Sequence, residues 1–210
     1  MLKIILSMLL TLTLSSAVEM SAANGGCTLA QQGKVSVTWK AYKTPAKIGV
    51  GGTFDSVKYT SIAPSGKNFR EIMVGSTVKI DTASVNSSNK GRDETLVKYF
   101  FKQMNGSTII AKIVGIKAGK RERGKPKTGM FTVDITMNGI TKTVPMPYSY
   151  DKGVMQANGF IDLFDFTASK ALRSINKACY DLHSGKTWSD VAIGFSTGIA
   201  ATLCSSKHIK

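Results

Sequence analysis

The chain has 210 residues, 42% of them hydrophobic, and 28 basic against 13 acidic side chains give it a formal charge of +15. That hydrophobic content excludes a disordered chain, which buries too little apolar surface to fold. So positive a surface favours anionic partners such as nucleic acid, phosphate head groups or acidic membrane faces, while two histidines and three cysteines leave little material for a metal centre.

Lys3 precedes an apolar run from Ile4 to Leu14, and small residues follow at Ser15, Ser16, Ala17, Ser21, Ala22 and Ala23. A basic start, a short apolar stretch and a small-residue cleavage zone make a secretory signal peptide. We read residues 1–22 as that peptide, with Ala17 as the alternative end, and residues 23–210 as one domain. A membrane anchor is the competing reading; spanning a bilayer takes ~20 apolar residues, and this run is shorter. Secretion implies an oxidising compartment, in which cysteines pair. No Leu-led small-residue box precedes Cys27, so a lipoprotein anchor is not expected there.

Val35, Val37, Trp39 and Ala41 alternate with Ser36, Thr38, Lys40 and Tyr42, the period of a half-buried strand. Thr44-Pro45 ends it. A second strand is expected over about 47–62, where Gly49, Gly51 and Gly52 mark a bend or a close backbone approach. Pro64-Ser65-Gly66 forms a loop, and a third strand alternates through Val74, Ser76, Val78 and Ile80. The period then changes. Leu96, Phe100 and Met104 fall at helical spacing within 92–104, with Asp93 and Glu94 suited to the positive end of the helix dipole.

Residues 108–117 are apolar on both faces, which predicts a strand covered on its outside by a helix. The basic run 117–127 reads as a solvated hairpin loop, with a head-group contact as the sharper alternative. Phe131, Val133, Ile135 and Met137 alternate up to Asn138-Gly139, a type I′ hairpin signal. Pro145 and Pro147 in the return strand suggest an edge or a bulge. Another turn at 151–153 leads into a strand reaching Phe166. A second helix fits 168–182, with Cys179 as a small buried hydrophobe on its apolar stripe, and a last strand runs over 189–203. The count is about eight long antiparallel strands and two helices, an all-β dominated chain. Sheets of this size close on themselves to remove exposed edges. Cys27 and Cys204 flank the first and last strands, neighbours in a closed barrel, and are expected to form a disulfide.

The inward-facing set expected to line an apolar cavity is Trp39, Phe54, Val78, Ile80, Phe131, Val133, Ile135, Met137, Ile193 and Phe195, with Phe100 at its mouth. A hydrocarbon tail there leaves water at about 25 cal/mol per Å² buried. The alternative is that these side chains fill a solid core. Catalysis is not expected. His183 has Asp181 and Ser184 beside it only in sequence, His208 lies in the C-terminal tail, and Asp162 and Asp165 fall on opposite strand faces. No phosphate-cradling glycine loop, calcium loop or close pair of metal ligands is present.

Four segments resemble the YceI family of periplasmic, lipocalin-like proteins: Gly52-Thr53-Phe54; Val78 to Val85; Gly91-Arg92-Asp93-Glu94-Thr95-Leu96 with Phe100-Phe101; and Val133 to Lys142. Their order and spacing carry the resemblance over about 34–204. It departs where the family often has histidine and this chain has Thr95, and the helix over 168–182 looks longer than usual. The resemblance implies an eight-stranded antiparallel lipocalin-like β-barrel with two helices on or near its mouth. It further implies binding of an isoprenoid or other fatty amphiphile, a carrier role without enzymatic activity or other cofactor, and dimers in some members. Arg92 and Asp93 become head-group candidates through it. The expected partners are a lipid ligand, a homodimer mate and, transiently, a membrane surface, with no nucleic acid. The alternatives are a secreted basic protein binding anionic surfaces without an internal ligand, and an enzyme acting on a hydrophobic substrate.

Overall fold

The computed structural model describes residues 27–202. Ten strands form one antiparallel sheet in the order β3-β4-β6-β7-β8-β9-β10-β1-β2-β5. They are β1 (Thr28–Lys43), β2 (Ile48–Phe54), β3 (Val57–Thr60), β4 (Thr77–Asp81), β5 (Val85–Asn86), β6 (Thr108–Ala118), β7 (Lys127–Met137), β8 (Ile140–Asp151), β9 (Val154–Asp162) and β10 (Thr187–Thr202). Three helices join them: α1 (Phe69–Met73), α2 (Lys90–Tyr99) and α3 (Ser169–Ala178). The sheet curls around an apolar interior, and its longest pairing runs between the first strand and the last, from Thr28↔Thr202 to Lys43↔Thr187.

The strand count exceeds the expected eight because two long strands are interrupted. The strand expected over 47–62 breaks at Asp55-Ser56, and its return breaks at a 3-10 turn, Thr82–Ser84. Their halves pair as β3 with β4 and β2 with β5. Backbone bonds bridge the gaps, from the N–H of Asp55 to the oxygen of Ser84 and from that of Asp81 to Ser56. The glycines of β2 do not break it. Gly52 serves close approach instead: a Cβ there would lie 2.3 Å from the Asn86 oxygen and 2.9 Å from the Trp39 ring.

Helix α1 was not expected from the sequence. Its five residues are too few to display a period, and Asn68 caps it by accepting from the Glu71 N–H at 3.1 Å. Ile72 and Met73 are fully buried at the end of the barrel opposite α2 and α3. The third strand begins only at Thr77, since Gly75 holds a φ of +101° that no strand residue adopts. The first long helix starts at Lys90 and ends at Tyr99, with Phe101–Gln103 tightening into a 3-10 turn. The second spans Ser169–Ala178, and Asp181–His183 is again a 3-10 turn. The strand expected to reach Phe166 stops at Asp162, and Leu163–Phe166, holding Asp165, is 3-10.

The helix expected outside β6 does not lie there. Ile110 and Val114 are 42% and 39% exposed on the outer face. β-branched side chains suit a pleated strand whether covered or not, so the apolar run carried no information about a cover.

The prolines of β8 do not mark a sheet edge, because β8 sits between β7 and β9. Met137 and Ile140 flank the two-residue turn as a hydrogen-bonded pair, so even-numbered residues of β8 bond to β7 and odd-numbered ones face β9. Pro145 and Pro147 fall on the β9 side and offer no N–H there. The β8–β9 ladder accordingly ends at Tyr148↔Ala157, although β9 continues to Asp162.

Candidate functional site: an apolar cavity with a basic mouth

Strand parity aims one row of side chains after another into the interior. Tyr59 of β3 stands opposite Val78, Val78 opposite Ala111, and Ala111 opposite Ile135. The next row carries Ile80 against Ile109, and a third Ile113 against Val133. These rows do not fill the barrel. They border a cavity of about 510 Å³, within the roughly 300–1,000 Å³ of small-molecule sites.

Trp39, Phe54, Val78, Ile80, Phe100, Phe131, Val133, Ile135, Met137, Ile193 and Phe195 all border this cavity. Phe131 is fully buried at 4.7 Å from the Tyr148 ring and 6.3 Å from that of Phe195. Trp39 is fixed by its indole N–H, which donates to the Thr53 oxygen at 3.2 Å. Phe100 and Phe101 meet edge to face at 5.2 Å, and Phe101 in turn meets Phe54 at 6.1 Å. Both phenylalanines therefore reach the cavity wall.

At the barrel end carrying the β1–β2 turn, α2 and α3 pack against each other. Arg92 borders the cavity there, exposed in the first turn of α2, where the Asn89 side chain accepts its backbone N–H at 3.0 Å. Asp93 does not border it. Its carboxylate accepts from the Ser87 N–H at 2.9 Å and the Ser87 hydroxyl at 2.6 Å, tying α2 to the end of β5. Thr95, where the family pattern often has histidine, donates to the Gly91 oxygen at 2.7 Å and also lines the wall.

The sequence reading missed the wall supplied by α3 and the turn after it. Leu172, Ile175, Cys179, Leu182 and His183 border the cavity, as do Lys43, Thr187 and Trp188 across the β1–β10 pairing. The stripe on this helix was legible, but not that it faces a void. Cys179 is half-buried on the cavity wall rather than packed away, and its thiol is free. Cys204 lies outside the described residues, as do residues 1–22, read above as a signal peptide, and His208.

The His183 ring is held by a residue of β10. Its Nδ1 lies 2.7 Å from the Thr187 hydroxyl, which donates to the Asn176 side-chain oxygen at 2.8 Å. With the hydroxyl hydrogen so committed, the neutral ring carries its proton on Nδ1. Burial, and then the nearby Lys43 ammonium, hold the His183 pKa below its ordinary value. Burial likewise raises the Cys179 thiol, against a smaller opposing pull from Lys43. Among the described residues no aspartate or glutamate borders the cavity, whereas Lys43 and Arg92 both do. Among the described residues no three His, Cys, Asp or Glu side chains gather to hold a metal. No helix among them is long and apolar enough to cross a membrane.

Among solved structures, the fold is similar to a polyisoprenoid binding domain from Saccharophagus degradans implicated in plant cell wall breakdown. The two share 13% identity at a TM-score of 0.55, over 84% of this chain and 99% of that one. Burkholderia cenocepacia BcnA is similar at 16% identity and a TM-score of 0.51, over 79% and 96%. A mutant of the Campylobacter jejuni YceI protein follows at 20% identity and 0.50, over 73% and 85%. No curated protein matches the chain in sequence. Residues 29–197, nearly the whole of the described fold, match the YceI-like domain, and the chain belongs to the YceI-like family.

Proposed function

We propose that this protein encloses a long-chain isoprenoid or similar amphiphilic lipid and carries it in the periplasm. The single observation behind the reading is the 510 Å³ apolar cavity bordered by all eleven side chains expected to receive a hydrocarbon tail. A few hundred Å² of tail surface leaving water at about 25 cal/mol per Å² supplies the binding free energy without directed chemistry. The polyisoprenoid binding domain with the same fold adds support. On this reading the interrupted β2/β3 and β4/β5 pairing acts as one hairpin that completes a ring of eight strands. Arg92 contacts the head group at the mouth, while Asp93 acts only by holding α2 in place.

The protein is a binder and not an enzyme, has no cofactor besides its lipid, and is exported by cleavage of residues 1–22. The pairing of Thr28 with Thr202 brings the ends of the described chain side by side, and a Cys27–Cys204 disulfide fastens them.

Solvent extraction of the purified protein followed by mass spectrometry tests the reading. An isoprenoid or fatty amphiphile is expected in near-stoichiometric amount. Ala111→Phe, which fills the cavity between Val78 and Ile135, should strip it from a still-folded protein. A protein that neither carries such a molecule nor takes one up when offered it would be a basic surface binder instead.

A further inference from the structure

We infer that the cavity mouth docks onto the surface of an anionic phospholipid bilayer, inserting Leu182, Tyr180 and Ile48 among the head groups. The inference rests on the lipid-carrier reading and adds the surface at which lipid enters and leaves. Leu182 is 73% exposed yet also borders the cavity, so one apolar side chain joins the interior to the outside. Tyr180, two residues earlier, is 60% exposed. Its ring lies over Gly185, where a Cβ would come within 3.2 Å of it, and it remains in solvent. Ile48 is 53% exposed in the register Ile48↔Lys43↔Thr187, on the same rim.

The rim is bound together across the two connections. The Thr44 N–H donates to the Lys186 oxygen at 2.8 Å, and the Trp188 indole N–H to the Thr44 oxygen at 2.8 Å. Lys47 and Lys186 both stand over the Trp188 ring, at 4.9 and 4.7 Å. The four connections at this end, residues 43–47, 87–107, 138–139 and 163–186, carry ten basic and four acidic side chains. Apolar tips ringed by lysine and arginine match the chemistry of an anionic leaflet, where acyl boundary and phosphates lie within a few ångströms of each other. The opposite end is also basic, but there Ile72 and Met73 of α1 are fully buried and no α1 residue borders the cavity, so charge supplies the attraction and the open, greasy mouth supplies the orientation.

Co-sedimentation with vesicles of phosphatidylcholine, alone or mixed with phosphatidylglycerol, tests this. Binding is expected only to the mixed vesicles and should fall steeply with added salt. The Ile48→Ser/Tyr180→Ser double variant, whose residues do not line the cavity, should bind at least tenfold more weakly and still yield extractable lipid. Leu182→Asp should bind more weakly as well. Phe160→Ser, on the barrel wall, should bind as the parent does. Parent-like binding by the double variant, an equal loss in Phe160→Ser, or no preference for anionic vesicles overturns the docking surface. Absence of extractable lipid from a parent protein that docks as described overturns the carrier reading alone.

Discussion

The side-chain oxygen of Asn138 accepts the backbone N–H of Asn105 at 2.6 Å, and its amide donates to the Phe166 oxygen at 2.8 Å. One turn residue thus fastens both helical connections at the mouth: the chain leaving α2 and the 3-10 turn leading to α3. Asn138 can do so because the type I′ hairpin holds it at a φ of +53°, a conformation asparagine tolerates better than most residues. Asn138→Gly keeps the turn and removes both bonds. We expect it to lower unfolding stability by about 1–3 kcal/mol, read as a shifted denaturant midpoint with an unchanged slope.

His183 should make stability depend on pH. Its folded pKa lies below the ordinary 6.5, so the unfolded chain binds the extra proton first. The contribution is complete above that ordinary value and is lost as pH falls from there toward the folded pKa. Denaturant midpoints measured across this acid range should decline in the parent and decline less in His183→Gln. Equal declines would mean that His183 is not the group responsible.

The Cys179 thiol should react slowly with an aromatic disulfide reagent at mild alkaline pH, because burial keeps it protonated. Removing the opposing Lys43 charge with Lys43→Ala should slow the reaction further. A lipid filling the cavity should slow it in both proteins, so reactivity before and after solvent extraction reports occupancy directly.

Phe131 is fully buried between the rings of Tyr148 and Phe195. Phe131→Ala should cost about 3–5 kcal/mol in chemical denaturation. The protein should be partly rescued by added long-chain ligand, because the ligand binds the folded state alone.

The proposed Cys27–Cys204 bridge sets a thiol count. Titration of the unreduced, denatured protein should find one thiol per chain, that of Cys179. Reduction should lower stability by about 2–5 kcal/mol. A count of three would remove the bridge.

The strand pattern of the chain was readable in advance because a pleated strand shows its two faces at period two. Val133, Ile135 and Met137 declared their inward face by alternation alone, and Asn138-Gly139 declared the hairpin by its chemistry. The strand members of the inward set followed from the same rule, and Phe100 from the helical spacing after Leu96. What alternation cannot express is where a ladder stops or what an apolar face looks onto. The break at Asp55-Ser56 depends on a partner strand about 30 residues away, and the five residues of α1 hold less than two turns of any period. Leu172, Ile175 and Cys179 read as a core stripe whether they meet other side chains or empty space. Ile110 and Val114 read as covered whether or not anything covers them. The residues fixed which faces are apolar, since that is a property of side chains taken one at a time. Only the closing together of distant strands and helices decided that those faces surround a void, because a cavity is the space between residues and belongs to none of them.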